Sequence, residues 1–324
     1  MWAAGQAGSK VSRVAPVPKR GAGHVDVSPG SAGTIAPGVP GTSPRFDRTL
    51  KRKALPMSLN ETVAGAVKKK DELLTHDFLR FATRATLAGV YLTVATAFAA
   101  VVGQGVNTAL DNTALGAVFF ALFFGLGLFA IVILNAELAT GDMMFMSYGA
   151  VQKKIGWGKA VWLLVVTTFF NLIGAALIAA LLGYSAKFND FDSSHLIATL
   201  SEGKLDKGPW QAFVEGMGAN FVVNMGIVGA LFAKDLVSKF FVIVPFIAIF
   251  VGLGLEHIIA NFSLFTLTFF NAGFDPALMP ENFTIGAVGI NWLMVWLGNF
   301  VGGGLLIGGV YAYLNMSKNE VYRD

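Results

Sequence analysis

Three long stretches of this chain, residues 85–110, 160–186 and 282–317, contain no Asp, Glu, Lys or Arg. A water-soluble chain of 324 residues with three such stretches could not cover its surface with polar groups. Only 14% of all residues are charged, against about 25% in an ordinary soluble domain. The sequence therefore predicts an integral membrane protein that spans the lipid bilayer.

Six apolar runs are long enough to cross about 30 Å of hydrocarbon. They cover residues 79–102, 114–134, 159–182, 209–232, 237–255 and 283–314. Lys and Arg are concentrated before the first run, after the second and fourth runs, and in the tail after the sixth. Because positive charges in short loops stay in the cytoplasm, we predict a multi-pass protein of the cell (inner) membrane with both termini cytoplasmic.

The chain outside these runs divides into simple regions. Residues 1–57 are basic and rich in Gly, Pro, Ser and Ala, so we predict a disordered tail. This tail is interpreted as a solvated arm near an anionic leaflet, with nucleic-acid binding as the less favoured alternative. Residues 58–78 are predicted to form an amphipathic cytoplasmic helix, residues 79–315 the transmembrane channel domain, and residues 316–324 a cytoplasmic tail.

The amphipathic helix has its own start signal. Ser58 and Glu61 have the spacing of a capping box, in which each side chain binds the backbone N–H of the other residue. Lys68, Lys69 and Lys70 are predicted to lie at the lipid headgroups.

Two polar interruptions occur at corresponding places in the two halves of the chain. Each follows a full apolar run, the second or the fifth, and each precedes a shorter apolar piece, 141–151 or 258–270. Runs three and six also share a pattern, with Asn and Gly three residues apart at 171–174 and 299–302. Three spans per half place the halves in opposite orientations. We therefore predict an all-α membrane fold of six helices in a 3+3 inverted repeat, with broken second and fifth helices.

Each interruption creates a helix N-terminus with unpaired N–H groups and a positive dipole end. Two such ends facing one cavity favour a small anion. His257 is the one histidine within the apolar body, and we predict that it donates a proton or a hydrogen bond to the passing anion. The alternative is a neutral core histidine bonded to a carbonyl group. Thr140 is predicted to bind His257 or the anion through its hydroxyl.

Four polar residues beside the interruptions are given structural roles. A carboxylate in the path of an anion would repel it, so Glu137 and Glu256 are predicted to hold loop N–H groups or the partner half. Asn171 and Asn299 are predicted to bind the broken backbone across the repeat.

Five residues are candidates for the permeation path itself. Asn220 and Asn261 are either pore-lining or structural. Lys204 either attracts anions at the outer mouth or is merely solvated. Phe124 and Phe250 flank the interruptions and are predicted to form an apolar constriction.

Enzyme chemistry is disfavoured. The chain has no Cys, which excludes disulfides, thiolate metal sites and a cysteine nucleophile. It also offers no pair of His at metal-ligand spacing and no Ser paired with a second intramembrane base. We predict no enzymatic activity, cofactor or metal.

Three motifs resemble the signatures of the formate/nitrite transporter family. They are Asn-Ala-Glu-Leu-Ala-Thr at 135–140, Gly-Leu-Glu-His-Ile-Ile-Ala-Asn at 254–261 and Gly-Asn-Phe-Val-Gly-Gly-Gly-Leu-Leu-Ile-Gly at 298–308. The resemblance implies an aquaporin-like fold, a homopentamer with one pore per protomer, and transport of small monovalent anions, often with a proton. Formate, nitrite, hydrosulfide and lactate are the implied substrates.

The resemblance also implies roles for matching positions. His257 matches the central pore histidine, and Thr140 the threonine that contacts it. The remaining matches are Phe124 and Phe250 at the outer constriction, Leu128, Leu138 and Val223 at the inner one, Asn220 as a pore asparagine and Lys204 as a vestibule lysine. Ala139 departs from the bulky Phe that formate channels often have there, so pH gating is not carried over.

These observations predict a channel or transporter for small weak-acid anions, with protons as possible co-substrates and no nucleic-acid partner. The alternatives are an aquaporin-type channel for neutral solutes, or a member of the same family that prefers hydrosulfide or lactate. The sequence lacks the Asn-Pro-Ala motif of aquaporins at either interruption, and a titratable histidine stands there instead.

Overall fold

The computed structural model describes residues 58–110, 113–319 and 323–324. The prediction of a disordered basic tail at 1–57 lies outside these residues. Throughout the described part the regular structure is helical, without strands. The α-helices are α1 Leu59–His76, α2 Phe78–Leu110, α3 Thr113–Ile133, α4 Ala139–Val151, α5 Trp157–Gly183, α6 Leu196–Leu205, α7 Pro209–Phe232, α8 Leu236–Gly252, α9 Ile258–Asn271, α10 Ile285–Asn299 and α11 Val310–Leu314. A π-helical segment, Phe300–Gly309, joins α10 to α11.

Five helical stretches within the described residues have the length and apolar composition needed to cross a membrane. They are Phe78–Leu110, Ala114–Ile133, Trp157–Gly183, Pro209–Phe232 and Ile285–Leu314. The predicted run at 237–255 corresponds to the shorter apolar helix α8, and the piece at 258–270 corresponds to α9.

Helix α1 has the predicted start. The Ser58 hydroxyl accepts from the Glu61 N–H at 3.2 Å, and the Glu61 carboxylate accepts from the Ser58 N–H at 3.1 Å. Its buried side packs against α2 and α4. Lys68 and Lys69 are exposed, whereas Lys70 is half-buried and makes ion pairs. The prediction that Lys70 lies at the headgroups is therefore wrong, because two buried carboxylates bind its ammonium group.

The helices form two groups that meet along α3 and α8. Helix α2 packs against α3 and α5, and helix α7 packs against α8, α10 and the π-helical segment. Glycine permits the closest crossings. A Cβ added at Gly174 of α5 would lie 1.9 Å from the Thr86 carbonyl oxygen of α2. A Cβ at Gly302 would lie 2.0 Å from the Met217 carbonyl oxygen of α7, so larger residues would push these helices apart.

Helix α6 was not predicted. It lies in the link after α5, and its residues Leu196, Ile197 and Ala198 are buried beneath the end of α9. The link has mixed charges and no long apolar run, so its sequence resembles a solvated loop. Tertiary packing against α9 provides the apolar contacts that local periodicity does not reveal.

Candidate functional site

Two short non-helical segments connect helices at corresponding places. Residues 134–138 join α3 to α4, and residues 253–257 join α8 to α9. In both, the second residue has a positive φ, 56° for Asn135 and 67° for Gly254, and the fourth residue is a glutamate. Asn and Gly are the residues that tolerate this left-handed conformation best. The two segments therefore turn the chain in the same way.

Asn171 of α5 holds the first segment. Its Oδ1 accepts from the N–H of Ala139 at 2.9 Å, which provides a partner for the first N–H of α4. Its Nδ2 donates to the carbonyls of Ala85 at 2.7 Å and Glu137 at 2.9 Å. One fully buried amide thus replaces hydrogen bonds that the interrupted backbone cannot make itself.

Asn299, at the end of α10, makes the same contacts with the second segment. Its Oδ1 accepts from the N–H of Ile258 at 2.8 Å. Its Nδ2 donates to the carbonyls of Gly216 at 2.8 Å and Glu256 at 2.9 Å. The two halves of the chain therefore bind their non-helical segments with matching hydrogen bonds.

His257 ends the second segment and lies against the start of α4. Its Nδ1 accepts from the N–H of Ala260 at 3.2 Å, which caps helix α9. Because Nδ1 is the acceptor, these hydrogen bonds assign the proton to Nε2. Nε2 then donates to the hydroxyl of Thr140, which is 2.9 Å away. A neutral imidazole and a hydroxyl are thus brought together between two helix N-termini.

Three cavities lie next to one another around this contact. The first, of about 240 Å³, is lined by Lys204 and Lys207 and will be called the Lys204 cavity. The second, the His257 chamber, has a volume of about 10 Å³. The third, of about 320 Å³, is lined by Lys70, Glu137 and Asp142 and will be called the Lys70 cavity.

Apolar side chains separate these spaces. Phe124 and Phe250 line both the Lys204 cavity and the chamber, and their rings meet edge to face at 5.9 Å between centroids. Leu128 and Leu138 line both the chamber and the Lys70 cavity, and Val223 lines the chamber. The cavities therefore lie in series, and an apolar barrier stands on each side of His257.

A charged cluster borders the Lys204 cavity. Fully buried Glu256 accepts from Lys204 at 3.0 Å and from Lys207 at 2.7 Å, and Lys207 also binds Glu215 at 2.5 Å. Burial alone would lower the pKa of Lys207, but the carboxylates of Glu256 and Glu215 raise it above its ordinary value. Lys204 is therefore ion-paired, so the alternative of a merely solvated lysine is wrong.

A second charged cluster borders the Lys70 cavity. The Lys70 ammonium binds Glu137 and, at 2.7 Å, Asp142. The Thr167 hydroxyl donates to the other oxygen of Asp142 at 3.2 Å. In this cluster one half-buried cation faces two buried carboxylates.

The glutamates were predicted to have a structural role, holding loop N–H groups or the partner half, and in the structure their carboxylates bind side chains. Glu137 binds Lys70, while Glu256 binds two lysines and the amide of Asn261 at 2.6 Å. A lysine brought in from another helix offers a stronger, charge-assisted hydrogen bond than a backbone N–H does.

The two asparagines that were either pore-lining or structural are fully buried. Asn261 donates to Glu256 and, at 2.8 Å, to Asn291. Asn220 donates to the carbonyls of Thr140 at 3.1 Å and Asn299 at 2.8 Å. Neither lines one of the three cavities, so their contacts in this structure are structural.

Several residues of the site were missed from sequence. Lys70, Lys207 and Asp142 acquire their partners only through tertiary structure. Asn224 could have been noticed, because it follows Asn220 by four residues and so lies on the same face of α7. Within the described residues no cluster of three or more His, Cys, Asp or Glu is arranged to hold a metal ion.

Comparison with curated proteins identifies similar chains in bacteria. The nitrite transporter NirC of Escherichia coli is 26% identical over 268 residues, which cover 82% of this chain and 95% of NirC. The formate channel FocA of Escherichia coli is 28% identical over 253 residues, covering 73% of this chain and 86% of FocA. An uncharacterized transporter of Bacillus subtilis, YwcJ, is 27% identical over 247 residues, covering 76% of this chain and 93% of its own.

Comparison with solved structures identifies the same fold in known channels. An FNT family ion channel superposes with a TM-score of 0.72 at 24% identity, covering 78% of this chain and 97% of that one. A pentameric formate channel with formate bound superposes with a TM-score of 0.57 at 26% identity, covering 78% and 99%. The family model for formate/nitrite transporters matches residues 58–313, which confirms the resemblance predicted from the motifs. This chain belongs to the formate/nitrite transporter family.

Proposed function

We propose that this protein is a channel through which small monovalent weak-acid anions, such as formate and nitrite, cross the cell (inner) membrane. The observation that carries the proposal is that His257, which lines the chamber between two larger cavities, contacts the hydroxyl of Thr140. Relatives named as a nitrite transporter and a formate channel support this substrate class.

The proposed architecture is a 3+3 inverted repeat of six crossings. In it, α3 and α4 are the parts of a broken second helix, and α8 and α9 the parts of a broken fifth. The matching hydrogen bonds of Asn171 and Asn299 support this symmetry. We place both termini in the cytoplasm from the distribution of Lys and Arg, so the Lys70 cavity faces the cytoplasm and the Lys204 cavity faces outward.

In this proposal the anion is attracted by electrostatics and selected by the apolar barriers. The N-terminal ends of α4 and α9 both meet the chamber, through Leu138 and His257, and the positive ends of their dipoles favour negative charge. Lys204 and Lys207 border the Lys204 cavity, where they offset the negative charges of Glu256 and Glu215 that would otherwise repel an anion. The barriers at Phe124 and Phe250 and at Leu128, Leu138 and Val223 remove water from the ion, which makes a full charge costly there.

A neutral acid would pass these barriers more easily than its anion. We assign to His257 and Thr140 the donation of a hydrogen bond to the anion in the chamber. In proton-coupled transport they also donate a proton to it. Neutral His257 suits the hydrogen-bonding role because its Nε2–H can donate while Nδ1 caps α9. For proton transfer His257 first takes up a proton from solution at Nδ1, and it returns to the neutral form when the anion receives a proton from Nε2 by way of the Thr140 hydroxyl.

We further propose a homopentamer in which each protomer has its own row of cavities. The support is the similarity to a solved pentameric formate channel.

The test is anion flux into proteoliposomes for the unmodified protein and for His257→Phe. We expect formate and nitrite flux to fall by about tenfold or more and to lose its pH dependence. His76→Phe makes the same exchange at the exposed end of α1 and serves as the matched control. Unchanged flux and pH dependence in His257→Phe would refute the proton-donor role. Glycerol flux as fast as formate flux would favour the neutral-solute alternative.

A further inference from the structure

Two asparagines of α7 converge on one carbonyl of α4. Asn220 Nδ2 lies 3.1 Å and Asn224 Nδ2 lies 3.2 Å from the carbonyl oxygen of Thr140. Both asparagines are fully buried. The hydroxyl of the same Thr140 contacts His257 Nε2. The backbone that carries the Thr140 hydroxyl is therefore held from α7.

The two amides act as one unit. Asn224 Nδ2 also contacts the backbone oxygen and the Oδ1 of Asn220, both at 2.9 Å. Asn224 Oδ1 is buried and accepts no hydrogen bond from the described residues, so Asn224 acts through its Nδ2 donor group. Gly303 of the π-helical segment packs directly on the pair. A Cβ there would lie 2.2 Å from Asn220 Nδ2 and 2.3 Å from Asn224 Nδ2.

The start of α4 needs such external support. Leu138, the residue before the helix, makes no side-chain capping hydrogen bond. Without a side-chain cap from Leu138, the first turn depends on other helices: Asn171 binds the Ala139 N–H, and the α7 asparagines bind the Thr140 carbonyl. At the corresponding start of α9, the side chain of His257 is itself the cap.

The other half of the chain lacks this amide pair. The Ala85 carbonyl accepts from Asn171 as the Gly216 carbonyl accepts from Asn299, so Ala85 and Gly216 occupy matching places. The residues four and eight positions after them also correspond, which pairs Gly89 and Thr93 of α2 with Asn220 and Asn224 of α7. The Thr93 hydroxyl binds the Ser263 hydroxyl at 2.8 Å, and no backbone carbonyl of α9 takes part in that contact. The asparagine pair therefore serves the Thr140 side alone and is not a general requirement of the repeat.

We infer that Asn224 is a positioning residue: by holding the Thr140 carbonyl together with Asn220, it sets the Thr140 hydroxyl against His257 and fixes Leu138 in the adjacent barrier. The inference rests on the proposed function of the His257–Thr140 pair. Loss of the Asn224 amide frees the first turn of α4. The Leu138 barrier then opens more often, and proton transfer to the anion changes its pH dependence.

The test uses the absence of cysteine from the chain, which makes an introduced thiol unique. Leu138→Cys is combined with Asn224→Leu and, as a matched control, with Thr93→Val, which also removes one buried side-chain hydrogen bond. The rate of labelling by a water-soluble thiosulfonate is measured in proteoliposomes. In parallel, the pH profile of formate flux is measured for each exchange in the protein that keeps Leu138. Asn224→Ser is included in case Asn224→Leu does not assemble.

We expect the Asn224 variants to be labelled about tenfold faster than the Leu138→Cys parent and to shift the pH profile, while Thr93→Val changes neither. Equal labelling of the Asn224 and Thr93 variants would overturn the inference. Labelling does not depend on the transported ion. An absence of formate flux in the unmodified protein would therefore refute the proposed function and leave the labelling rates to decide this inference.

Discussion

Lys70 offers the sharpest test of how the site is held together. Its side chain is 12% exposed, and those of Glu137 and Asp142 are 5% and 2% exposed. In Lys70→Met the two carboxylates lose their shared cation but stay buried. Removing one partner of a buried ion pair costs about 3–5 kcal/mol, because the remaining charge is uncompensated. We expect a loss of this size in the free energy of unfolding.

The pKa of Lys70 determines the pH range over which its ion pairs stabilise the protein. Burial alone would lower that pKa, but the Asp142 and Glu137 carboxylates raise it above its ordinary value. A lysine with a raised pKa in the folded state contributes stability that is fully present below its unfolded pKa. That contribution is lost only as the pH rises through the folded value. The lysine therefore stays charged throughout the neutral range, and its own titration adds no pH dependence to the effect of Lys70→Met there.

The assay is denaturant or thermal unfolding of the purified protein in detergent. Lys68→Met is the matched control, because Lys68 is exposed and its ion pair with Glu72 spans 3.7 Å. It should change stability by about 0.5 kcal/mol or less. Combining Lys70→Met with Glu137→Gln and Asp142→Asn should restore much of the loss, since no buried charge is left unpaired. A Lys70→Met variant as stable as the Lys68→Met control would refute the reasoning.

Two further predictions concern packing and pH. Gly302→Ala places a Cβ 2.0 Å from the backbone of α7 and should lower the free energy of unfolding by about 1–3 kcal/mol. Gly286→Ala, with open space around it, should change that free energy little, and equal melting temperatures for the two variants would contradict the packing argument. His195 caps α6 by accepting from the Ile197 N–H, and burial lowers its pKa below 6.5, with Asp192 partly opposing the shift. Stability from neutral His195 is therefore full above about pH 6.5 and is lost as the pH falls through the lowered value. Hydrogen exchange in α6, corrected for the intrinsic rate, should speed up on acidification and lose this pH dependence in His195→Asn. An unchanged pH dependence in that variant would show that another group is responsible.

Features encoded in short segments could be predicted from the sequence. The two interruptions appear as polar residues within apolar runs, and the structure has non-helical backbone at 134–138 and 253–257. Ser58 and Glu61 lie three residues apart, so their capping box depends on spacing alone. The contact of Thr140 with His257 could be proposed because both lie at the polar interruptions, and the structure brings the two residues within 2.9 Å.

Contacts between distant segments could not be predicted in this way. Lys70 precedes Asp142 by 72 residues, and a row of three lysines on an amphipathic helix is typical of a membrane surface. Only the packing of α1 on α4 shows that Lys70 points inward while its neighbours remain exposed. Helix α6 was missed for the same reason, because its buried face is defined by α9 rather than by its own periodicity.

The small volume of the His257 chamber has a consequence for the energy balance of a cell. At about 10 Å³, the chamber has room for one water molecule at most. A continuous file of water molecules, along which protons hop freely, therefore cannot form through this conformation. A membrane that contains many copies of the protein can keep its electrochemical gradient while the side chains at both barriers stay in place. In the proposed path a solute can pass only when those side chains move, because the chamber has no room for it as it stands.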